Sequence, residues 1–383
     1  MNSGFGVFQE EHEAFRRTVK QVVDRELKPF VRAWEEAEEF PLALYRRFAE
    51  LGFLGLKYPE AYGGTDAGYL YEAVLHEELA KCGSGGVAAG LAAQFTIGTG
   101  PIHLFGTDAQ KRAFLAPAIA GQKIGAFGVT EPDAGSDVAG LRTTARREGD
   151  YYVVNGAKTY ITNGVRCDYV ILAVKTAPEK GHKGVSLLIV EKGTQGFTVA
   201  KKLKKLGWRA SDTAELHFED CRVPVTNLLG DENNGFFQIM GNFAWERLSL
   251  ALGAVGAAED ILEQAMRFTR ERQAFGQAVA KFQVVRHRLA EMATDLECAR
   301  QLTYHALKLH AAGEYALAQT AMAKKVATEM CCRLADQALQ LHGGAGYMQE
   351  FDIERHWRDA RLGPIGGGTS EIMNEIIAKQ LGL

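Results

Sequence analysis

The residue with the clearest chemical potential is Glu246. Across residues 233–258, Glu246 and its neighbour Arg247 are the only charges in a mostly apolar run with helical periodicity. On a helix Glu246 shares its face with Ile239, Phe243 and Leu250, whereas consecutive residues such as Arg247 point elsewhere. Apolar surroundings raise a carboxyl pKa toward that of a useful general base. The competing explanation is a buried structural carboxylate paired with a distant Arg or Lys, because an isolated buried charge is costly.

Three loops add polar groups of the kind that hold ligands. In Gly128-Val129-Thr130-Glu131-Pro132-Asp133-Ala134-Gly135-Ser136-Asp137, hydroxyls stand beside glycine-supported backbone amides. That combination binds a polar heterocycle or a phosphate, or simply caps a turn. Asn155-Gly156 reads as a hairpin-like turn, followed by a short strand and a second turn at Asn163-Gly164. Tyr160 and Thr162 lie two apart on that strand and face the same side. A ring and a hydroxyl on one face suit a planar polar ligand, although an ordinary half-exposed strand looks the same. The run Gln340-Leu341-His342-Gly343-Gly344-Ala345-Gly346-Tyr347 is a glycine-rich break after a long helix, a pattern that also makes a plain C-cap.

Generic redox and hydrolytic signatures are missing. Gly83, Gly85 and Ala88 match the letters of a dinucleotide fingerprint, but they follow a helical segment (71–81) where the motif requires a strand. There is no Walker A loop, no HExxH and no G-x-S-x-G elbow. Redox chemistry would therefore need a bound cofactor.

The elements that must position these groups fall into three textures. Residues 1–121 are helical in pattern. Residues 122–229 carry short β-rich runs, at 151–154, 169–174, 185–191 and 214–218, bounded by turn residues. Residues 230–383 are helical again, with long segments near 236–272, 282–311 and 315–341 and shorter ones near 351–361 and 370–380. The expectation is an α+β multi-domain chain: an N-terminal α-helical domain, a middle β-barrel or sandwich domain, and a C-terminal helical bundle.

With 383 residues, two or three domains are expected. A formal charge of -3 argues against a nucleic-acid partner. The lysines at 201, 202, 204 and 205 read as a solvated face or as a patch for phosphates or a protein. Six scattered cysteines suggest neither a disulfide scaffold nor a zinc site, and fit a reducing compartment. The first residues lack a signal-peptide layout, and no stretch of about 18 apolar residues offers a membrane span. A cytoplasmic location is expected.

Taken together, the loop at 128–137 and the run from Gln340 to Asp359 resemble the two signatures of the acyl-CoA dehydrogenase family. Leu56-Lys57-Tyr58-Pro59-Glu60-Ala61-Tyr62-Gly63-Gly64, Leu206-Gly207-Trp208-Arg209, Val223-Pro224 and Arg272-Gln273-Ala274-Phe275-Gly276 are similar as well, so the resemblance spans the chain in order. It implies an FAD-dependent enzyme converting an acyl-CoA thioester to the trans-2-enoyl-CoA in fatty acid or branched-chain catabolism. An electron-transfer flavoprotein would be the acceptor and a homotetramer the assembly. Phe127, Val129, Thr130 and Ser136 would line the flavin, with Ser136 also near CoA. Tyr160 would sit at the flavin ring, where the family commonly has Trp, and Thr162 near N5. Arg272, Phe275, Gln340, Gly343 and Gly344 would hold the pyrophosphate and adenosine end of an FAD shared between subunits, and Thr369 and Glu371 would contact the adenosine portion.

One departure matters. Many family members carry the base in a Tyr-Glu-Gly-Thr segment, which here reads Gly366-Gly367-Gly368-Thr369. Isovaleryl-CoA and long-chain acyl-CoA dehydrogenases also lack that glutamate and carry one in the equivalent of Trp245-Glu246-Arg247-Leu248. The resemblance thus assigns the base to Glu246, leaves the Gly367 N–H to polarise the thioester carbonyl, and places Arg247 and Gly368 beside the substrate. A flavin oxidase or monooxygenase on the same fold, or a non-catalytic flavoprotein, is the alternative. The small-residue run 85–93 leaves room for an acyl chain or merely packs tightly. Val87 falls near the position where glutaryl-CoA dehydrogenases have arginine, which disfavours a dicarboxylate.

Overall fold

The computed structural model describes residues 6–383. Its first third is helical: α1 (Glu10–Val22), α2 (Val31–Glu36), α3 (Ala43–Glu50), α4 (Tyr69–Ala80), α5 (Gly85–Thr96), α6 (Gly100–Phe105), α7 (Asp108–Gln110) and α8 (Ala116–Ile119). Helix α4 is buried at every position from Glu72 to Leu79, so it lies inside the molecule rather than on its face. Ser84 caps α5 by accepting a hydrogen bond from the Val87 N–H at 3.2 Å.

The strands are β1 (Gly125–Gly128), β2 (Thr144–Glu148), β3 (Tyr151–Thr162), β4 (Tyr169–Lys175), β5 (Val185–Glu191), β6 (Phe197–Lys202), β7 (Thr213–Pro224) and β8 (Leu228–Leu229). They form one mixed sheet in the order β6-β7-β3-β2-β4-β5-β8, with β1 running parallel to β4. Alternation along β4 explains its shape. Tyr169, Ile171 and Ala173 pack with Leu115 and Ile239 on the helical side, while Val170, Leu172 and Val174 pack with Val154, Leu216 and Phe218 of the sheet itself. Both faces are buried, and the sheet curls over its own core. The expected α, β, α order holds, with the β region realised as one curled sheet.

Asn155-Gly156 is not a turn. It lies inside the 12-residue strand β3, where a bulge shifts the register between Val154–Cys221 and Gly156–Phe218. Gly156 has φ +147, and a Cβ there would stand 2.5 Å from Thr143 Oγ1, so glycine is required by the neighbouring strand. Pairing along β7 overrides the local turn preference. A second register shift, between Lys158 and Ile161, contains Tyr160 at φ +63. Asn163-Gly164 does turn, with Asn163 at φ +62.

The C-terminal part comprises α9 (Gly235–Glu271), the short hairpin β9 (Gln273–Ala274) and β10 (Gln277–Ala278), α10 (Gln283–Ala311), α11 (Leu317–His342), α12 (Ile353–Ala360) and α13 (Ser370–Gln380). Val74 of α4 shares a core with Leu252, Val255, Met292, Met330 and Leu334, so the two helical regions meet in one apolar layer. Gly256 makes the closest approach possible: a Cβ on it would lie 2.2 Å from the Glu77 carbonyl oxygen.

Among the described residues no helix is long and apolar enough to cross a membrane, no acidic, His or Cys cluster is arranged to hold a metal, and the six cysteines are free. The lysine run is not uniformly solvated. Lys205 turns inward to donate to the Ser211 carbonyl at 2.6 Å and to Thr213 Oγ1 at 2.9 Å, and burial pulls its pKa down to about 8.

Candidate active site

Helix α9 carries Glu246 to a point where the C-terminal bundle meets the loop before α13. The Glu246 Oε2 atom is enclosed and has no hydrogen-bond partner. Burial raises its pKa to about 7, with Arg247 and Lys324 acting in the opposite direction. Among the described residues it forms no ion pair: the Arg247 Nε donates instead to the Gly367 carbonyl at 3.1 Å. Lys324, fully buried on α11, donates to the Gly368 carbonyl at 2.6 Å. Two cations thus pin consecutive carbonyls of the glycine loop.

That loop cannot carry ordinary side chains. Gly367 and Gly368 have φ +64 and φ +98. A Cβ on Gly367 would lie 2.6 Å from Leu250 Cδ1 and 3.8 Å from Glu246 Oε1. Position 367 and Glu246 therefore address the same small volume from two elements. Thr369 then caps α13 by accepting the Ile372 N–H at 3.4 Å.

From Leu250 an apolar cavity of about 140 Å³ runs between α4, α5, α9, α11 and α12. Ala88, Ala92, Gly253, Ala254 and Ala257 contribute small side chains to its walls. The run at 85–93 therefore leaves space as well as packing closely.

The sheet reaches the same region through Phe127, whose ring meets that of Phe243 at 6.4 Å between centroids; Phe243 in turn lies 5.4 Å from the Arg247 guanidinium. Val129 is buried and Thr130 donates to the Thr159 carbonyl at 2.5 Å, which ties the loop to β3. Ser136 is exposed. Tyr160 is 68% exposed although the next residue, Ile161, belongs to the sheet core, so its ring projects from the molecule. An aromatic ring so exposed, with half-buried Thr162 beyond it, fits the expectation of a planar ligand lying against β3.

The remaining candidates lie elsewhere. Arg272 follows the end of α9, roughly 39 Å along the helix from Glu246 at ~1.5 Å per residue. Phe275 tips the adjacent hairpin, 95% exposed and at φ +51. Gln340 lies in the last turn of α11, Gly343 follows the helix at φ +58, and Gly344 continues into a short 3₁₀ turn. Glu371 lies in the first turn of α13 beside Thr369, within reach of the Lys324 and Lys325 charges.

Three partnerships were not legible in the sequence. Lys324 looks like one of two consecutive helix lysines until α11 packs against the glycine loop. Glu131 is buried against Lys158 at 2.7 Å and accepts the Arg142 and Thr143 N–H groups at 2.6 and 3.0 Å, which holds the 128–137 loop in shape. Glu72 is buried against Lys57 at 2.7 Å and accepts from the Trp245 indole at 2.5 Å. The only sequence signal for these was a charged residue at a position otherwise expected to be buried.

Comparisons with known proteins agree with this arrangement. Family models described as the N-terminal, middle and C-terminal domains of acyl-CoA dehydrogenase match residues 9–122, 126–221 and 233–382. The mitochondrial long-chain specific acyl-CoA dehydrogenase of Rattus norvegicus is 41% identical over 378 residues, covering 98% of this chain and 87% of that protein. The crystal structure of an acyl-CoA dehydrogenase from Geobacillus kaustophilus superimposes with TM-score 0.95 at 42% identity, covering 98% of this chain and 99% of that one. An acyl-CoA dehydrogenase from Bacillus anthracis, solved in complex with FAD, superimposes with TM-score 0.92 at 32% identity over 98% of this chain and 67% of that one. An unpaired carboxylate one helical turn from the wall of an apolar cavity, three matched domains and full-length relatives lead to one conclusion: this chain belongs to the acyl-CoA dehydrogenase family.

Proposed function

We propose that the protein is an FAD-dependent acyl-CoA dehydrogenase in which Glu246 removes the α proton of the thioester. The observation that carries this reading is the unpartnered Glu246 carboxylate beside Gly367, one helical turn from Leu250 in the wall of an apolar cavity. Bound FAD would supply the two-electron acceptor for the β hydrogen. The chain's own part is to hold and deprotonate. Glu246, with a pKa near neutrality, is ionised often enough to accept a proton and basic enough to want it. The Gly367 N–H is left to donate to the thioester carbonyl, which acidifies the α carbon. Arg247 and Lys324 fix the loop that presents it.

Phe127, Val129, Thr130, Ser136, Tyr160 and Thr162 would hold the flavin end of FAD. Arg272, Phe275, Gln340, Gly343 and Gly344 would hold its other end, with Thr369 and Glu371 completing the contacts. Because Glu246 and Arg272 stand so far apart on one helix, residues at the two ends would serve one FAD only from different subunits. The exposed apolar side chains around the distal end, Phe275, Val284 and Tyr347, suit burial in such an interface. As the family resemblance implies, the assembly is read as a homotetramer built from dimers, with an electron-transfer flavoprotein as acceptor, and the domains as 1–121, 122–229 and 230–383.

The test is spectroscopic. The purified protein is expected to show a flavin band that bleaches when an acyl-CoA is added without oxygen. A band that no acyl-CoA bleaches would move the protein to an oxidase of another substrate or a non-catalytic flavoprotein. Absence of FAD after reconstitution would remove the cofactor claim itself.

A further inference from the structure

We infer that the substrate is an acyl-CoA whose acyl group has about 10 to 14 carbons, and that Trp208 is the stop that sets this limit; the inference rests on the proposed reaction. The cavity has a direction. Its near end is marked by Leu250, which touches the site of Gly367 and lies one helical turn from Glu246, and by His76, whose ring is 6.2 Å from that of Trp245. Its far end is marked by Ile261, Trp208, His356 and Asp359. Leu250 and Ile261 are 11 residues apart on α9 by their numbers, or ~16 Å, and after allowing for their side chains roughly 10 Å lies empty between them. An extended chain advances ~1.2 Å per bond, so about eight methylenes fill that length. The volume of about 140 Å³ is close to the ~150 Å³ of a cavity that accommodates a benzene ring, so the space is large enough for an apolar chain. Adding the first carbons, between Glu246 and Leu250, gives a total near twelve.

The far end is braced by hydrogen bonds between separate elements. Asp359 accepts the Gly85 N–H at 2.8 Å and the Trp208 N–H at 2.6 Å, and so joins the start of α5 to the Trp208 loop. The Trp208 backbone is held at φ +55, a conformation that a bulky residue adopts only when its surroundings impose it. Its indole lies directly over Gly85, where a Cβ would come within 2.5 Å of Nε1. Beside it His356 is engaged with Asp260 at 3.0 Å and Gln264 at 3.1 Å. A longer chain would have to displace the indole or press a methyl group against these paired polar groups.

The holoenzyme is titrated with S-alkyl-CoA thioethers from butyl to octadecyl, which bind without reacting, and bleached anaerobically with the matching acyl-CoAs. Affinity is expected to rise about four-fold per methylene, the factor equivalent to ~0.8 kcal/mol, up to about twelve carbons and then to stop rising. Trp208→Ala should move that limit at least two carbons longer, and Trp208→Phe should restore it. Ala257→Leu, which fills the cavity midway, should shorten it to about eight carbons and stands as the test if Trp208→Ala does not fold. A limit at six carbons or fewer, or equal weakening of all lengths by Trp208→Ala, would overturn the inference. If butyryl-CoA bleaches the flavin and dodecanoyl-CoA does not, the reaction stands and the chain-length assignment falls. If none bleaches it, the reaction fails first.

Discussion

Two buried carboxylates stand almost back to back across α4 and α9, and their fates differ. Glu72 accepts from Lys57 at 2.7 Å and from the indole of Trp245 at 2.5 Å, with His76 3.8 Å away. Burial pushes its pKa up, but Lys57 and His76 outweigh burial and hold it below the usual carboxylate range. Glu246 is the residue next to Trp245, yet on the other side of α9 it meets Leu250 and a glycine loop, and its Oε2 is left unpaired. Burial raises it to about 7, because Arg247 and Lys324 spend their hydrogen bonds on loop carbonyls instead. Burial sets the cost of a charge in both places; the direction of the neighbouring donors decides whether the carboxylate holds structure or performs chemistry.

The comparison is most exposed to mutation at Glu246. Glu246→Gln should lower kcat by ~10²–10⁴, the range of a lost general base, while the flavin spectrum stays intact. Turnover within tenfold of wild type would make Glu246 a second structural carboxylate. At Glu72 the expected loss is of stability. Glu72→Gln leaves Lys57 buried without its partner and should cost ~3–5 kcal/mol in urea unfolding, whereas the pair replacement Lys57→Met with Glu72→Leu should regain most of it. A Glu72→Gln protein of normal stability and no activity would reverse the two assignments.

The smallest effect is in pH. The rate should rise as Glu246 loses its proton, through about pH 7. Lys324→Met removes a cation that favours the charged carboxylate, so the Glu246 pKa should go up and the rising limb should move to higher pH, by about one unit or less. Stability carries the opposite sign. The folded pKa of about 7 exceeds the ordinary value of 4.5, so the contribution of Glu246 to stability is full below 4.5 and is lost as pH rises toward 7. Melting curves of wild type and Glu246→Gln should therefore converge at low pH and separate above neutrality, with the Gln protein the more stable there.

Periodicity carried much of this into the sequence. The long helices α9, α10 and α11 begin and end within a few residues of the segments expected at 236–272, 282–311 and 315–341, because an apolar repeat sustained over many turns admits no other reading. The isolation of Glu246 was equally visible, as a lone carboxylate in an apolar helix. Strand β6 was not visible, because Phe197–Lys202 is largely exposed and shows only a weak alternation. Asn155-Gly156 has the local preference of a turn but lies within a strand, because the pairing with β7 is not a local property.

Helical and strand texture, the α, β, α order and the oddity of one glutamate were thus determined by the chain itself, since each depends on residues a few positions apart. What neutralises Glu72, what leaves Glu246 unpaired, where the cavity ends and how far Arg272 lies from the base were decided only on folding. Lys57, Lys324, Gly367 and Trp208 reach these sites from separate elements, and local preferences carry no information about such distant meetings.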